Sequence, residues 1–150
     1  MKRVFLFGIS ALFLVTNAFA LDLSSFSGTW KLSGENGPDE LNISLKEGVL
    51  GVKGLLEDDL KNMEIPSKGE ITFEGIPVTF TSGSYDDKTL IIHTTFHSSK
   101  VSAAPDMVFA ISLKIDEKTK KLQVQTAGIG FSSDRGLTAE VESFSYDKQK

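Results

Sequence analysis

The 150-residue chain contains no cysteine, and this absence excludes several kinds of protein. No disulfide can staple the fold, and no thiolate can serve as a nucleophile or a metal ligand. A lipid anchor on an N-terminal cysteine is excluded as well. The fold must therefore be held by side-chain packing and backbone hydrogen bonds alone.

Histidine is also scarce, since His93 and His97 are the only two in the chain. On a strand they would share one face but lie about 13 Å apart, too far for one zinc ion, whose bonds to nitrogen measure about 2.0 Å. The chain has no Gly-x-Ser-x-Gly motif, no helical Ser-x-x-Lys motif and no glycine-containing calcium loop. We therefore expect no metal, no cofactor and no enzymatic activity. A small hydrolase or inhibitor domain is the least favoured function.

Positive charge is in deficit, with 16 Lys and Arg residues against 20 Asp and Glu residues. No basic stripe with interleaved aromatic residues is present. This balance argues against nucleic acid and anionic membranes as partners. The acidic residues fall mainly in predicted turns, where we expect them to be solvated.

The first 20 residues have the three parts of a cleavable signal peptide. The positively charged Lys2-Arg3 precedes an apolar run, residues 4–15, that is too short to span a bilayer. Alanine occupies positions 18 and 20, which a signal peptidase recognises. We expect cleavage before Leu21, which leaves 14 basic and 20 acidic residues. The product would be a soluble single domain, residues 21–150, in a bacterial periplasm or outside the cell.

Alternation of apolar and polar residues dominates the rest of the chain and predicts strands, because side chains alternate between the two faces of a strand. Residues 54–63 break the pattern, with Leu56, Leu60 and Met63 at helical spacing, and predict a short helix or an irregular loop. The predicted strands are residues 28–33, 40–46, 49–53, 70–74, 78–81, 89–97, 107–116, 121–127 and 137–146.

Short consecutive strands with short connections predict an all-β fold. We expect a single antiparallel up-and-down β-barrel of about eight strands, since closure removes the free edges of a sheet. A two-sheet β-sandwich is the alternative. Stable membrane insertion is not expected, because barrel strands that span a membrane need about 9–11 residues and most of the predicted strands are shorter.

The opening Gly28-Thr29-Trp30 resembles the Gly-x-Trp motif of the calycin superfamily, which comprises lipocalins, fatty-acid-binding proteins and avidins. The resemblance implies a lipocalin- or avidin-like barrel with Trp30 at its closed base and a ligand inside. The Thr-Asp-Tyr element of lipocalins is absent, and one tryptophan replaces the several of the avidin site. Phe144 stands where fatty-acid-binding proteins have a ligand-gripping arginine. Arg135 is the arginine available to cover Trp30, as a late arginine does in lipocalins.

Phenylalanine is abundant, with 11 residues in the chain, and several fall in predicted strands, where they either line a cavity or fill it. Small barrels hold one small ligand in mostly apolar pockets. We therefore expect an exported barrel that binds a small hydrophobic ligand without catalysis. The alternative is a filled β domain that acts as a protein-interaction or envelope-associated module. The oligomeric state is not indicated. The candidate ligand-binding residues are Trp30, Phe80, Phe96, Phe109 and Phe144, with Tyr146 as a polar contact.

Overall fold

The computed structural model describes residues 21–56, 62–84, 86–132 and 136–150. In these residues the chain forms ten strands and two short 3-10 helices, Leu23–Phe26 and Ser98–Lys100. The strands are β1 (Gly28–Leu32), β2 (Glu40–Lys46), β3 (Val49–Lys53), β4 (Ile65–Pro66), β5 (Gly69–Phe73), β6 (Ile76–Ser84), β7 (Thr89–Phe96), β8 (Met107–Ile115), β9 (Leu122–Ser132) and β10 (Gly136–Lys148). The predicted all-β class is confirmed.

The ten strands form one antiparallel sheet in which the first strand pairs with the last. Trp30 of β1 lies opposite Leu41 of β2 on one side and Lys148 of β10 on the other. Every strand also pairs with its sequence neighbour, except that β4 and β5 do not pair with each other. The sheet therefore curls into a nearly closed barrel. The predicted barrel is confirmed over the sandwich, with ten strands instead of about eight.

The break in the ring lies at β4, a two-residue strand that the sequence pattern does not predict. Pro66 has no N–H group to donate to a further strand. The next residue, Ser67, is buried; its N–H donates to the Leu50 carbonyl at 2.7 Å, and its Oγ accepts from the Leu50 N–H at 3.0 Å. A serine side chain thus completes the pairing with β3, and the strand ends there.

The long strand β9 also differs from the prediction, which placed a strand at 121–127 and a turn-containing segment after it. The ladder with β10 continues through Gly128 and Gly130, opposite Glu140 and Thr138. A β-carbon on Gly128 would lie 2.8 Å from the Phe109 ring. The glycine therefore marks a close approach of a ring to the backbone and not the end of the strand.

One end of the barrel, the closed end, is filled by the core around Phe26, Trp30 and Tyr146, each at most 1 % exposed. The Trp30 Nε1–H donates to the Phe26 carbonyl at 2.8 Å, which fixes the first 3-10 helix beneath the strands. Lys148 Nζ lies 5.2 Å from the centre of the Trp30 ring, a cation–π distance. Arg135, the predicted partner of Trp30, lies outside the described residues.

The described parts of the predicted helix or loop at 54–63, residues 54–56 and 62–63, lie towards the other end of the barrel, the open end, because β3 runs away from the closed end. Leu55 is buried, and Leu56 and Met63 pack in part against the core. Leu60 lies outside the described residues. The three described side chains cover one flank of the barrel interior.

Candidate ligand cavity

A cavity of about 530 Å³ lies at the open end of the barrel. Strands β6 to β10 supply its main wall, while Pro38 from the β1–β2 turn and Leu55, Leu56 and Met63 supply the opposite flank. Pockets that bind small molecules typically enclose about 300–1,000 Å³. The space is therefore large enough for one small organic ligand.

Four of the six predicted ligand-binding residues line this cavity: Phe80, Phe96, Phe109 and Phe144. Strand alternation turns each of them inward from a different strand. The Phe96 ring packs edge-on against that of Phe109, with centres 5.6 Å apart, and against that of Phe73, at 6.3 Å. Aromatic pairs in this arrangement stabilise one another, so the wall has a defined shape.

The structure does not bring Trp30 and Tyr146 into the cavity lining. Both lie in the packed closed end, and Tyr146 is fully buried with its ring centre 6.4 Å from that of Phe144. Burial raises the pKa of Tyr146 to about 12. Its hydroxyl has no hydrogen-bond partner among the described residues. The predicted polar contact to a ligand is therefore placed in the core beneath the cavity.

A second buried hydroxyl, that of Thr94 on β7, does line the cavity. Thr94 is 5 % exposed, and its Oγ1 has no hydrogen-bond partner in the part of the chain that the structure describes. Across the sheet, Thr94 lies opposite Phe109, Phe109 opposite Gly128 and Gly128 opposite Glu140. These four residues form one row of the cavity wall, with a polar group at each end.

Two carboxylates that the sequence analysis missed, Glu140 and Glu142, also line the cavity. They share the inward face of β10 with Phe144 and Tyr146, since all four are spaced by two residues. Both are exposed, because the cavity opens to solvent on this side. Of the described residues that line the cavity, none is basic. The sequence does contain a signal for this inward placement, because the alternation that turns Tyr146 and Phe144 inward continues back along the strand to Glu140.

The outer face of the same strands is apolar where the inner face is acidic. Val108, Ile129 and Val141 are 45 %, 53 % and 65 % exposed. Val108 lies opposite Ile129, and Val141 lies opposite Ala127 on the next strand. The sheet therefore carries an exposed apolar patch on its outside, behind the cavity.

His97 forms a chain of contacts outside the cavity. Its Nε2 lies 3.0 Å from Thr79 Oγ1, and its Nδ1 lies 3.3 Å from Asp106 Oδ2. The hydroxyl and N–H of Ser99, followed by His97, lower the pKa of Asp106. Thr79 faces outward because its neighbours Val78 and Phe80 are buried inward.

This chain of contacts therefore fastens the loop before β8 to β6, and it does not reach the cavity. His93, the other histidine, is exposed on β7. No group of three or more side chains suited to holding a metal ion occurs among the described residues.

The chain matches no protein-family model, no curated protein and no solved structure. Among the described residues, no helix is both long enough and apolar enough to cross a membrane.

Proposed function

We propose that this protein binds a small hydrophobic ligand in the barrel cavity and performs no chemistry on it. The observation that carries the proposal is the aromatic wall formed by Phe80, Phe96, Phe109 and Phe144 around about 530 Å³ of space. Removing an apolar molecule from water is favourable by roughly 25 cal/mol per Å² buried. The ring-lined wall is already in place, with Phe96 packed edge-on against Phe109, so binding requires little reorganisation.

The proposal includes export and a calycin-like architecture. The signal-like residues 1–20 support a site of action outside the cytoplasm, although they lie outside the described residues. Two features support the calycin-like architecture: the first strand pairs with the last, and a cation is stacked on Trp30 at the closed end. A soluble carrier of apolar molecules suits an aqueous compartment, where such ligands need shielding from water.

The test is a fluorescence titration with N-phenyl-1-naphthylamine, an uncharged dye that brightens in apolar surroundings. Thr126 lines the cavity, whereas its neighbour Gln125 is exposed on the outer face. Thr126→Phe places a ring inside the cavity, and Gln125→Phe places the same ring outside. We expect the wild type and Gln125→Phe to bind the dye alike and Thr126→Phe to bind it about tenfold more weakly or not at all.

Equal dye binding by all three proteins would place the dye elsewhere and contradict the proposal. Absence of binding by the wild type, with no thermal shift from any apolar ligand, would contradict it as well. Circular dichroism and the thermal midpoint of each variant establish that the barrel is intact in the comparison.

The alternative, a β module that acts through its surface, has one observation in its favour, the exposed apolar patch around Val108, Ile129 and Val141. Such patches on soluble proteins often mark contact surfaces. Native mass spectrometry separates the two functions, because a small ligand adds a small mass that denaturation removes. A partner protein or a second copy of the chain adds a large mass. Val141→Glu places a charge in the apolar patch, so it would abolish that large added mass.

A further inference from the structure

The inward face of β10 changes character half-way along its length. From the closed end it presents Tyr146 and Phe144, then Glu142 and Glu140, while Val141 faces out and is 65 % exposed. A strand on a barrel wall ordinarily turns its charged residues outward and its apolar residues inward. This half of β10 does the reverse, and the wall behind the carboxylates is apolar.

The two carboxylates are placed to act together on one ligand group. Glu140 lies opposite Gly128 and Glu142 opposite Thr126, so their α-carbons are about 6.6 Å apart along one face of the strand. Both line the cavity, where no described lining residue is basic. Neither is in an ion pair with another described residue. They place negative charge, unpaired within the described part of the chain, at the mouth of an apolar space.

The buried hydroxyl of Thr94 is an independent polar feature of the same cavity. A buried hydroxyl without a hydrogen-bond partner is costly, and such groups in native proteins call for an explanation. Thr94 and Glu140 end the same row of the wall, three strand spacings or about 14 Å apart along the curved sheet. Between them, the Phe109 ring packs over Gly128, so a ligand that spans the row lies against that ring.

We infer that the ligand is an organic amine with an apolar body. Its ammonium group lies between Glu140 and Glu142, its apolar body lies against the phenylalanine wall, and a second polar atom hydrogen-bonds to Thr94 Oγ1. This inference rests on the proposed function and specifies the chemistry of the ligand. Fatty acids are disfavoured, because their carboxylate would meet two negative charges and no described basic lining residue.

The experiment compares three ligands of equal chain length: decylamine, decanol and decanoate. Each ligand is titrated against the dye bound to the wild type at pH 7, below the concentration at which the ligand forms micelles. We expect decylamine to bind about tenfold more tightly than decanol, and decanoate more weakly than decanol. Raising the salt concentration should narrow the difference between amine and alcohol, because the carboxylates are exposed.

Variants assign the effect to the named side chains. The double variant Glu140→Gln/Glu142→Gln should lose the preference for the amine, so that decylamine and decanol bind alike. The control Glu35→Gln/Glu47→Gln removes the same charge from exposed turns and should retain the preference for the amine. An amino alcohol of the same chain length has the second polar atom that decylamine lacks, so it should bind the wild type more tightly than decylamine does. Thr94→Val should remove this gain in affinity.

The outcomes separate this inference from the function on which it rests. If the three ligands bind equally, or if the double glutamine variant keeps the preference for the amine, the inference is wrong and the apolar carrier function stands. If decanoate binds most tightly, the inference is also wrong. If neither the dye nor any of the three ligands binds, both fail.

Discussion

Tyr146 and Thr94 both bury a hydroxyl that finds no hydrogen-bond partner among the described residues, and their surroundings give the two groups different roles. Thr94 faces a cavity in which a ligand atom can pair with it. Tyr146 is packed in the core and fully buried. The Tyr146 hydroxyl therefore lowers the stability of the fold and contributes nothing to binding. The Thr94 hydroxyl can instead form a hydrogen bond when a ligand is present.

Tyr146→Phe should raise the free energy of unfolding at pH 7 by about 1 kcal/mol, because it removes an unpaired polar atom and keeps the ring. Dye affinity should not change, since Tyr146 does not line the cavity. Urea unfolding with tryptophan fluorescence measures the first effect. A clear loss of stability would show instead that the hydroxyl is paired in solution and stabilises the fold.

The same residue sets the stability at high pH. Burial raises the pKa of Tyr146 from its ordinary 10.0 to about 12, so the folded state holds the phenolic proton more tightly. The resulting stabilisation is complete below pH 10 and is lost as the pH rises to about 12, by about 2–3 kcal/mol. Tyr146→Phe should unfold less readily over that range. In a Tyr85→Phe background, Tyr146 is the only tyrosine, so its absorbance reports this ionisation directly.

At the scale of elements, hairpin turns set the register of the barrel in two ways. Glu47-Gly48 and Glu74-Gly75 both have positive φ angles at the two central positions, as in a type I′ turn, which matches the twist of paired strands. The β6–β7 and β8–β9 connections instead contain aspartates, Asp86 and Asp116. Each accepts the backbone N–H groups two and three residues further on.

Glutamate is an uncommon first residue in a type I′ turn, because a β-carbon is strained at positive φ, and asparagine tolerates that region better than glutamate does. Glu47 has a φ of 49°. Glu47→Asn should therefore raise the free energy of unfolding by about 0.5–1 kcal/mol. Glu74→Asn, at a φ of 48°, is the matched test in the other hairpin. If both variants unfold at lower denaturant concentration, the glutamate side chains make contributions beyond turn geometry.

The aspartate turns predict the response to acid. Backbone N–H groups lower the pKa of Asp86, with Lys88 contributing most, and that of Asp116, with Thr119 contributing most. The unfolded state therefore takes up protons more readily than the folded state, and stability falls as the pH drops from about 5 through the lowered pKa values.

Calorimetry between pH 7 and pH 2 measures this loss. The double variant Asp86→Asn/Asp116→Asn should start from a lower thermal midpoint and should depend less on pH over the same range. Lys88 and Glu117, which join the two turns at 2.9 Å, remain intact in it. A pH profile as steep as that of the wild type would assign the acid response to other carboxylates.

Considered as a whole molecule, the fold was more predictable than the cavity. The alternation of Met107 to Ile115 places Ile111 and Leu113 inward, as expected from the sequence, because every second side chain of a strand shares a face. Gly128 was misleading, since the same residue type marks turns and close approaches alike. Whether the phenylalanines fill the barrel or line it depends on the curvature of ten strands together, which no local pattern encodes.

Glu140 and Glu142 were not predicted from the sequence as cavity residues, for a different reason. Charged residues on a strand are ordinarily solvated, and nothing local to Glu140 or Glu142 contradicts that expectation. They face inward only because they lie an even number of residues from Phe144 and Tyr146, whose side chains point inward. That inference requires knowing that Tyr146 faces inward, because a one-residue shift in register reverses every assignment.

The break in the ring between β4 and β5 has a consequence for how the chain can be rearranged. The first and last strands already pair, and the Gln149 N–H donates to the Thr29 carbonyl at 2.9 Å. In a chain made without residues 1–20, a short peptide could therefore join Lys150 to Leu21. The peptide bond after Lys68 crosses no ladder, and both flanking residues are exposed. A circular permutant that begins at Gly69 thus interrupts no strand pairing, and it makes the pairing of β10 with β1 a local hairpin. Because loop closure between distant strands slows folding, the permutant recasts the longest-range step of assembly as one of the shortest.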